Sequence, residues 1–225
     1  LKRPLLIYLA HFGTFFKIIF IFLIFNVAIN ITSAPNLALT PKLVILLTIV
    51  SILLTSWAEL ALVHAFFHYS QGAAPAAGQM LALALKKLPR FVVILILWFL
   101  AVIVGLFFLI VPGIIFATWF LFLSSVYIIE ETPALGVFRR SKALVSPYFL
   151  SVLWRIALTS IIFISVLLTA SRGIEFILEL LKTNPTMSYN IVSGMSAALV
   201  ALLLPAYIGV VVTMYLDVRN ANKPL

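Results

Sequence analysis

The chain has 225 residues, of which 64% are hydrophobic and 9% charged, with a net charge of +9 and a mean hydropathy of +1.25. Soluble domains carry about 25% charged residues, so this composition cannot cover a globular surface and excludes a soluble fold. Cysteine is absent, which excludes a disulfide framework and thiolate metal ligation.

A membrane-crossing helix needs about 20 mostly apolar residues. In chain order the first such run is about 14–31, after a short segment carrying Lys2, Arg3 and His11. The second is about 42–67, opened by Pro41, a residue suited to a first helical turn. A mixed segment with Lys86, Lys87 and Arg90 follows, and then 39 uncharged residues from Phe91 to Ile129. As one helix these would run about 58 Å at 1.5 Å per residue, twice the hydrocarbon thickness. Pro112-Gly113 is therefore expected to form a tight turn between spans of about 91–111 and 114–129. Two further runs, about 150–170 and 191–216, complete the set. The expectation is a single-domain, all-α polytopic membrane protein with six transmembrane helices.

Lys and Arg set the orientation of such a chain. With both termini inside, ten cations fall in inner segments: Lys2, Arg3, Lys86, Lys87, Arg90, Arg139, Arg140, Lys142, Arg219 and Lys223. Only Lys42, Arg172 and Lys182 fall outside, while Lys17 and Arg155 lie just within helices, close enough to the inner face to snorkel. The charge is thus an orientation signal and an attraction to anionic lipid head groups, not a nucleic-acid footprint. Cleavage after the first span is not expected, because its apolar core exceeds a signal-peptide h-region and no A-x-A site follows.

Two inner segments share a pattern. Pro75-Ala76-Ala77-Gly78 and Pro133-Ala134-Leu135-Gly136 lie 58 residues apart, as do Pro89 and Pro147, and Phe91 and Phe149. The shared pattern points to an internal parallel repeat of span, inner interfacial helix and span, with interfacial helices at about 75–88 and 133–146. In the second, Ala134, Val137, Phe138, Ser141, Leu144 and Val145 form one helical stripe, with Arg139, Arg140 and Lys142 off it. The sixth and first spans are candidates for a degenerate third unit. On the outer side, residues 172–183 read as another interfacial helix, with Arg172–Glu175 and Glu179–Lys182 pairs at i, i+3.

The stretch from about 74 to 155 carries a series of architectural motifs: Lys86 to Phe91 (KKLPRF), Pro112-Gly113, Glu130-Glu131, Pro133 to Leu135, Arg140-Ser141 and Phe149. In these it resembles the bacterial multipass inner-membrane proteins of the YciC type and the related membrane domain of some glycerophosphodiester phosphodiesterases. Lys142 departs from the pattern, which often has an aromatic residue there. The resemblance implies a six-helix module in a bacterial inner membrane, with no catalytic activity attached. A phosphodiesterase barrel has no room in a chain that is mostly membrane helix.

Glu59 is the sharpest polar residue, about two turns from the inner end of the second span. A carboxylate there costs about 2–3 kcal/mol on insertion scales unless it is paired or wetted. Arg155, about one turn into the fifth span from the same side, is its expected partner. Such a pair serves either as a structural pin or as a proton or substrate site. His64 and His68 are spaced to chelate zinc but lack a third ligand nearby, so they read as interfacial histidines. Asn26 and Asn30 form an i, i+4 pair able to bond across to a neighbouring helix. No Walker loop, GxSxG, carboxylate dyad or dinucleotide fingerprint occurs, and no cofactor is expected.

The expected function is non-catalytic: an accessory or structural membrane subunit that binds lipid and partner transmembrane helices. Lys86, Lys87, Arg90, Arg139, Arg140 and Lys142 are the expected contacts for phosphate head groups. The alternative is a small transporter or lipid-handling protein with its site between the repeats, near Glu59 and Arg155. Transporters place broken helices at the midplane, and the apolar third and fourth spans carry no sign of one.

Overall fold

The computed structural model describes residues 2–32, 40–108 and 110–222, and among them every regular element is helical. The elements are α1 (Lys2–Ala10), α2 (Phe12–Thr32), α3 (Pro41–Ser70), α4 (Ala77–Phe108), α5 (Ile110–Trp119), α6 (Leu123–Ile129), α7 (Ala134–Val145), α8 (Phe149–Leu180) and α9 (Pro185–Ala221). Six segments are long and apolar enough to cross a membrane: α2, α3, α4, α5 with α6, α8, and α9. The protein is a multipass, all-α membrane protein. Lys223, counted among the inner cations, lies outside the described residues.

Four boundaries differ from expectation. α4 ends at Phe108 and α5 begins at Ile110, so Pro112 and Gly113 sit in the first turn of α5 rather than between the two helices. The first N–H groups of a helix have no helical partner, so a proline there sacrifices nothing. Gly105 and Gly113 let α4 and α5 approach: a Cβ on Gly105 would lie 3.1 Å from the Gly113 Cα and 2.8 Å from the Phe116 ring. The expected interfacial helix at 75–88 does not end at Pro89; it continues into the third span as one 32-residue helix, α4. The outer interfacial helix at 172–183 is likewise the end of α8, another 32-residue helix.

The fourth boundary is internal. The fourth span is interrupted at Phe120–Phe122, which separates α5 from α6 within the apolar run. The amphipathic helix α7 packs into this region. Its stripe residues Val137, Ser141, Leu144 and Val145 are fully buried against protein, not spread on lipid. The Ser141 hydroxyl donates to the Trp119 carbonyl at 2.7 Å, and Phe138 meets Phe120 edge-on at 5.1 Å. A backbone acceptor released by the helix break is thereby satisfied from a neighbouring element, as hydrocarbon requires.

The long helix α9 is the hub, packing on α1, α2, α3 and α8. Pro205 inside it cannot donate to the Ala201 carbonyl one turn back. The Tyr8 hydroxyl from α1 donates to the adjacent Leu202 carbonyl at 2.9 Å. Gly209 presents bare backbone to Phe66, whose ring atoms would stand 2.6 Å from an added Cβ. Phe66 in turn meets Phe15 at 4.5 Å between ring centres, closing an aromatic core between α2, α3 and α9. The outward faces are apolar: Phe107 is 87% exposed and Leu150 77%.

Candidate functional site

The cations collect at one end of the bundle, where Glu130 is the centre of a knot. Glu130 caps the C-terminus of α6. Arg140 of α7 donates to it from Nε at 2.7 Å and from Nη2 at 3.2 Å. The fully buried Tyr215 of α9 donates its hydroxyl to the same carboxylate at 2.8 Å, and Arg219 stands 4.0 Å away. Burial by itself would raise the Glu130 pKa, but the hydrogen bonds from Arg140 and Tyr215, with the charges of Arg140 and Arg219, hold it below the usual carboxylate range. The bond to Glu130 raises Arg140 above its ordinary value. This arrangement ties three elements together and commits the Nε–Nη2 edge of Arg140 to Glu130.

Beside the knot lies an open groove of about 960 Å³, lined by Lys86, Lys87, Arg90, Glu131, Thr132 and Tyr127 among others. It runs between α4 and the turn that leads into α7. Glu131 adopts φ 51°, the left-handed region, and its carboxylate meets Lys87 Nζ at 2.8 Å. The hydrogen bond and charge of Lys87 keep Glu131 below the usual carboxylate range. Tyr127 donates its hydroxyl to the Lys87 carbonyl at 3.0 Å, fixing the groove's floor to α4. Lys86 and Arg90 take part in no ion pair among the described residues.

The six cations expected to share one role therefore divide. Lys86, Lys87 and Arg90 come together in the groove. Arg140 is bound to Glu130, Lys142 stands over the Trp119 ring at 4.2 Å, and Arg139 is exposed on the outer side of α7.

The expected Glu59–Arg155 pair does not form. Arg155 meets Asp217 of α9 at 3.6 Å, with both side chains more than half exposed. Asp217 lies four residues from the end of α9, whereas Glu59 lies eleven residues from the end of α3, about 16 Å along the axis. The two acidic groups differ in depth, and Arg155 takes the shallower one.

Glu59 instead faces a cavity of about 180 Å³ at the interruption of the fourth span. Thr55, Ser124 and Tyr207 line it with Leu121 and aliphatic residues of α9. Ser124 opens its hydroxyl into the same cavity as Glu59. No cation lies within 4.0 Å of Glu59 among the described residues.

Several smaller expectations also resolve. Arg172 and Glu175 pair at 2.9 Å, but Glu179 and Lys182 do not, because α8 ends at Leu180 and Lys182, at φ 50°, leaves the helical face. Asn26 donates to the Phe22 carbonyl of its own helix at 3.0 Å, and the side chain of Asn30 lies outside the described residues. The His64 and His68 rings are 4.5 Å apart, and no three His, Cys, Asp or Glu side chains gather among the described residues.

No family model, curated protein or solved structure matches the chain. The geometry thus stands on its own residues. Ser124, Tyr215 and Asp217 are functional neighbours that the motif reading passed over. Asp217 had a signal, as the one acidic residue in the last span, a single turn from its charged end.

Proposed function

We propose that the protein is a non-catalytic membrane protein of the YciC type, seated in a bacterial inner membrane with its basic end and both termini in the cytoplasm. Its role is that of an accessory or structural subunit that binds anionic lipid head groups and associates with other membrane helices. The observation that carries this reading is the groove of about 960 Å³ in which Lys86, Lys87 and Arg90 converge. Only Lys87 of the three has an internal carboxylate among the described residues, so the groove holds an excess of positive charge, which supports binding of anionic head groups. The apolar faces of α4 and α8 supply the surface for partner helices.

The test uses the purified protein in nanodiscs with and without phosphatidylglycerol. The expected result is that phosphatidylglycerol raises the thermal midpoint of the wild type, and that Lys86→Gln/Lys87→Gln/Arg90→Gln loses most of that rise. Arg139→Gln should keep it. Equal lipid dependence in the triple variant and the wild type would overturn the lipid reading. Recovery of the chain from native membrane without a stoichiometric partner would overturn the subunit role.

The transport alternative gains one specific observation. The fourth span, expected to be continuous, is broken at Phe120–Phe122 beside an intramembrane carboxylate.

A further inference from the structure

We infer that the Glu59 cavity is a binding site for a small protonated amine, an alkylammonium of up to about six non-hydrogen atoms. This is independent of the lipid groove, with which the cavity shares no lining residue.

Three observations meet there. The first is charge. The chain has six acidic residues, and Glu130, Glu131, Glu175 and Asp217 all sit in ion pairs near the ends of the bundle. Glu179 lies one residue from the end of α8, and Glu59 lies deepest of the six, eleven residues from the end of α3, with no cation within 4.0 Å among the described residues. Ionisable groups at such depth are costly and mark substrate or ion paths.

The second is space. The carboxylate borders about 180 Å³ of room instead of packed side chains. At about 30 Å³ per water-sized group, this holds roughly six of them.

The third is the donor and acceptor balance. The Thr55 hydroxyl already donates to the Ser51 carbonyl at 2.7 Å, so it offers the cavity only a lone pair. Ser124 and Tyr207 bring their hydroxyls to the same cavity. Even with these two donors the wall offers more lone pairs than donors, with Glu59 as its one acidic side chain, while Leu121, Leu204, Ile208 and Val211 make the remainder apolar.

An ammonium group with a short alkyl tail complements each part of that wall. Its N–H donors meet Glu59 and the hydroxyl lone pairs, and its carbon atoms meet the aliphatic side. An alkali ion needs several oxygens to replace its water shell, and this wall supplies few. An anion would face Glu59. The surroundings also suit a site that ligands enter and leave. Leu121 belongs to the break in the fourth span, and Leu204 directly precedes Pro205 in α9. A break in one span beside a polar group is how membrane transporters build such sites.

The experiment is thermal unfolding of the purified full chain in detergent, titrated with methylammonium through butylammonium at constant ionic strength. Sodium chloride and 1-butanol are the matched controls. A rise in midpoint is expected with propyl- or butylammonium and with neither control. Glu59→Gln should abolish the rise while keeping the helical content, and Ser124→Ala should weaken the apparent affinity several-fold. Ser124→Ala also serves if Glu59→Gln fails to fold. The Lys86→Gln/Lys87→Gln/Arg90→Gln variant should respond as the wild type does, which separates this site from the lipid groove. The inference is overturned if no amine shifts the wild type up to about ten millimolar, if sodium does so equally, or if Glu59→Gln or Ser124→Ala responds as the wild type does.

Discussion

Tyr215→Phe probes the knot at the basic end with the smallest chemical change available. The ring is fully buried and meets Phe122 at 5.8 Å between centres, so its packing survives the substitution. What is lost is one hydrogen bond of 2.8 Å to a carboxylate whose side chain is only 16% exposed. Hydrogen bonds to charged groups are worth about 1.5–3 kcal/mol. Glu130 keeps both donors of Arg140, which limits the loss to the lower part of that range, about 1.5–2 kcal/mol. At about 2–4 °C per kcal/mol for a chain of this size, the midpoint should fall by about 3–8 °C.

The assay is thermal unfolding of wild type, Tyr215→Phe, Glu130→Gln and the double variant. In the Glu130→Gln background the tyrosine substitution should cost much less, since the acceptor is no longer charged. The pH dependence has a definite sign. Glu130 is held below its ordinary value of 4.5, so its stabilisation is complete above that pH and is lost as pH falls through the lower folded value. The difference between wild type and Tyr215→Phe should therefore be constant near neutrality and shrink on acidification below the ordinary carboxylate range. A midpoint within 1 °C of wild type, or full additivity with Glu130→Gln, would refute the reasoning.

Two further outcomes follow from the same geometry. Ser141→Ala leaves the Trp119 carbonyl at the helix break without its donor, and should destabilise by about 1–3 kcal/mol in chemical or thermal unfolding. Arg155→Gln removes an ion pair whose side chains are 55% and 65% exposed, so the change in the same assay should stay below about 1 kcal/mol.

The spans were legible because each is an apolar run near the length that hydrocarbon demands, and no tertiary detail is needed to find one. Their ends were less legible, and the two inner prolines show why. Pro89 and Pro147 sit in matching local patterns, yet α4 runs through the first while α7 stops two residues before the second. The difference lies in what holds the preceding helix. Arg140 is tied to Glu130 and Ser141 to Trp119, which fixes α7 in a direction of its own against α6. At the offset of 58 residues, the counterparts of Glu130, Arg140 and Ser141 are Gly72, Ala82 and Leu83, none of which can make such a tie. Nothing turns the first helix aside, and one lost hydrogen bond at Pro89 is then not enough to end it. A repeated pattern of prolines marks matching positions. The polar anchors between them decide whether the chain bends.

Depth explains the error at Glu59. The expected pairing with Arg155 counted turns from a span ending at residue 67, but α3 continues to Ser70. Three residues of helix are about 4.5 Å, comparable to the slack in a long side chain's reach. With that shift Asp217 becomes the acidic residue at the depth of Arg155, and Glu59 is left deeper with only hydroxyls for company. The break at Phe120–Phe122 was invisible in composition, since Trp119 to Leu123 contain neither glycine, proline nor charge. It arises where α7 supplies Ser141 to a backbone carbonyl, a tertiary contact that stands in for helical bonding. The same break leaves room in front of Glu59. A pairing within the chain would have made that carboxylate a pin. With Arg155 taken by Asp217 and a cavity beside it, that carboxyl group is left open to a partner from outside the chain, which the amine titration tests.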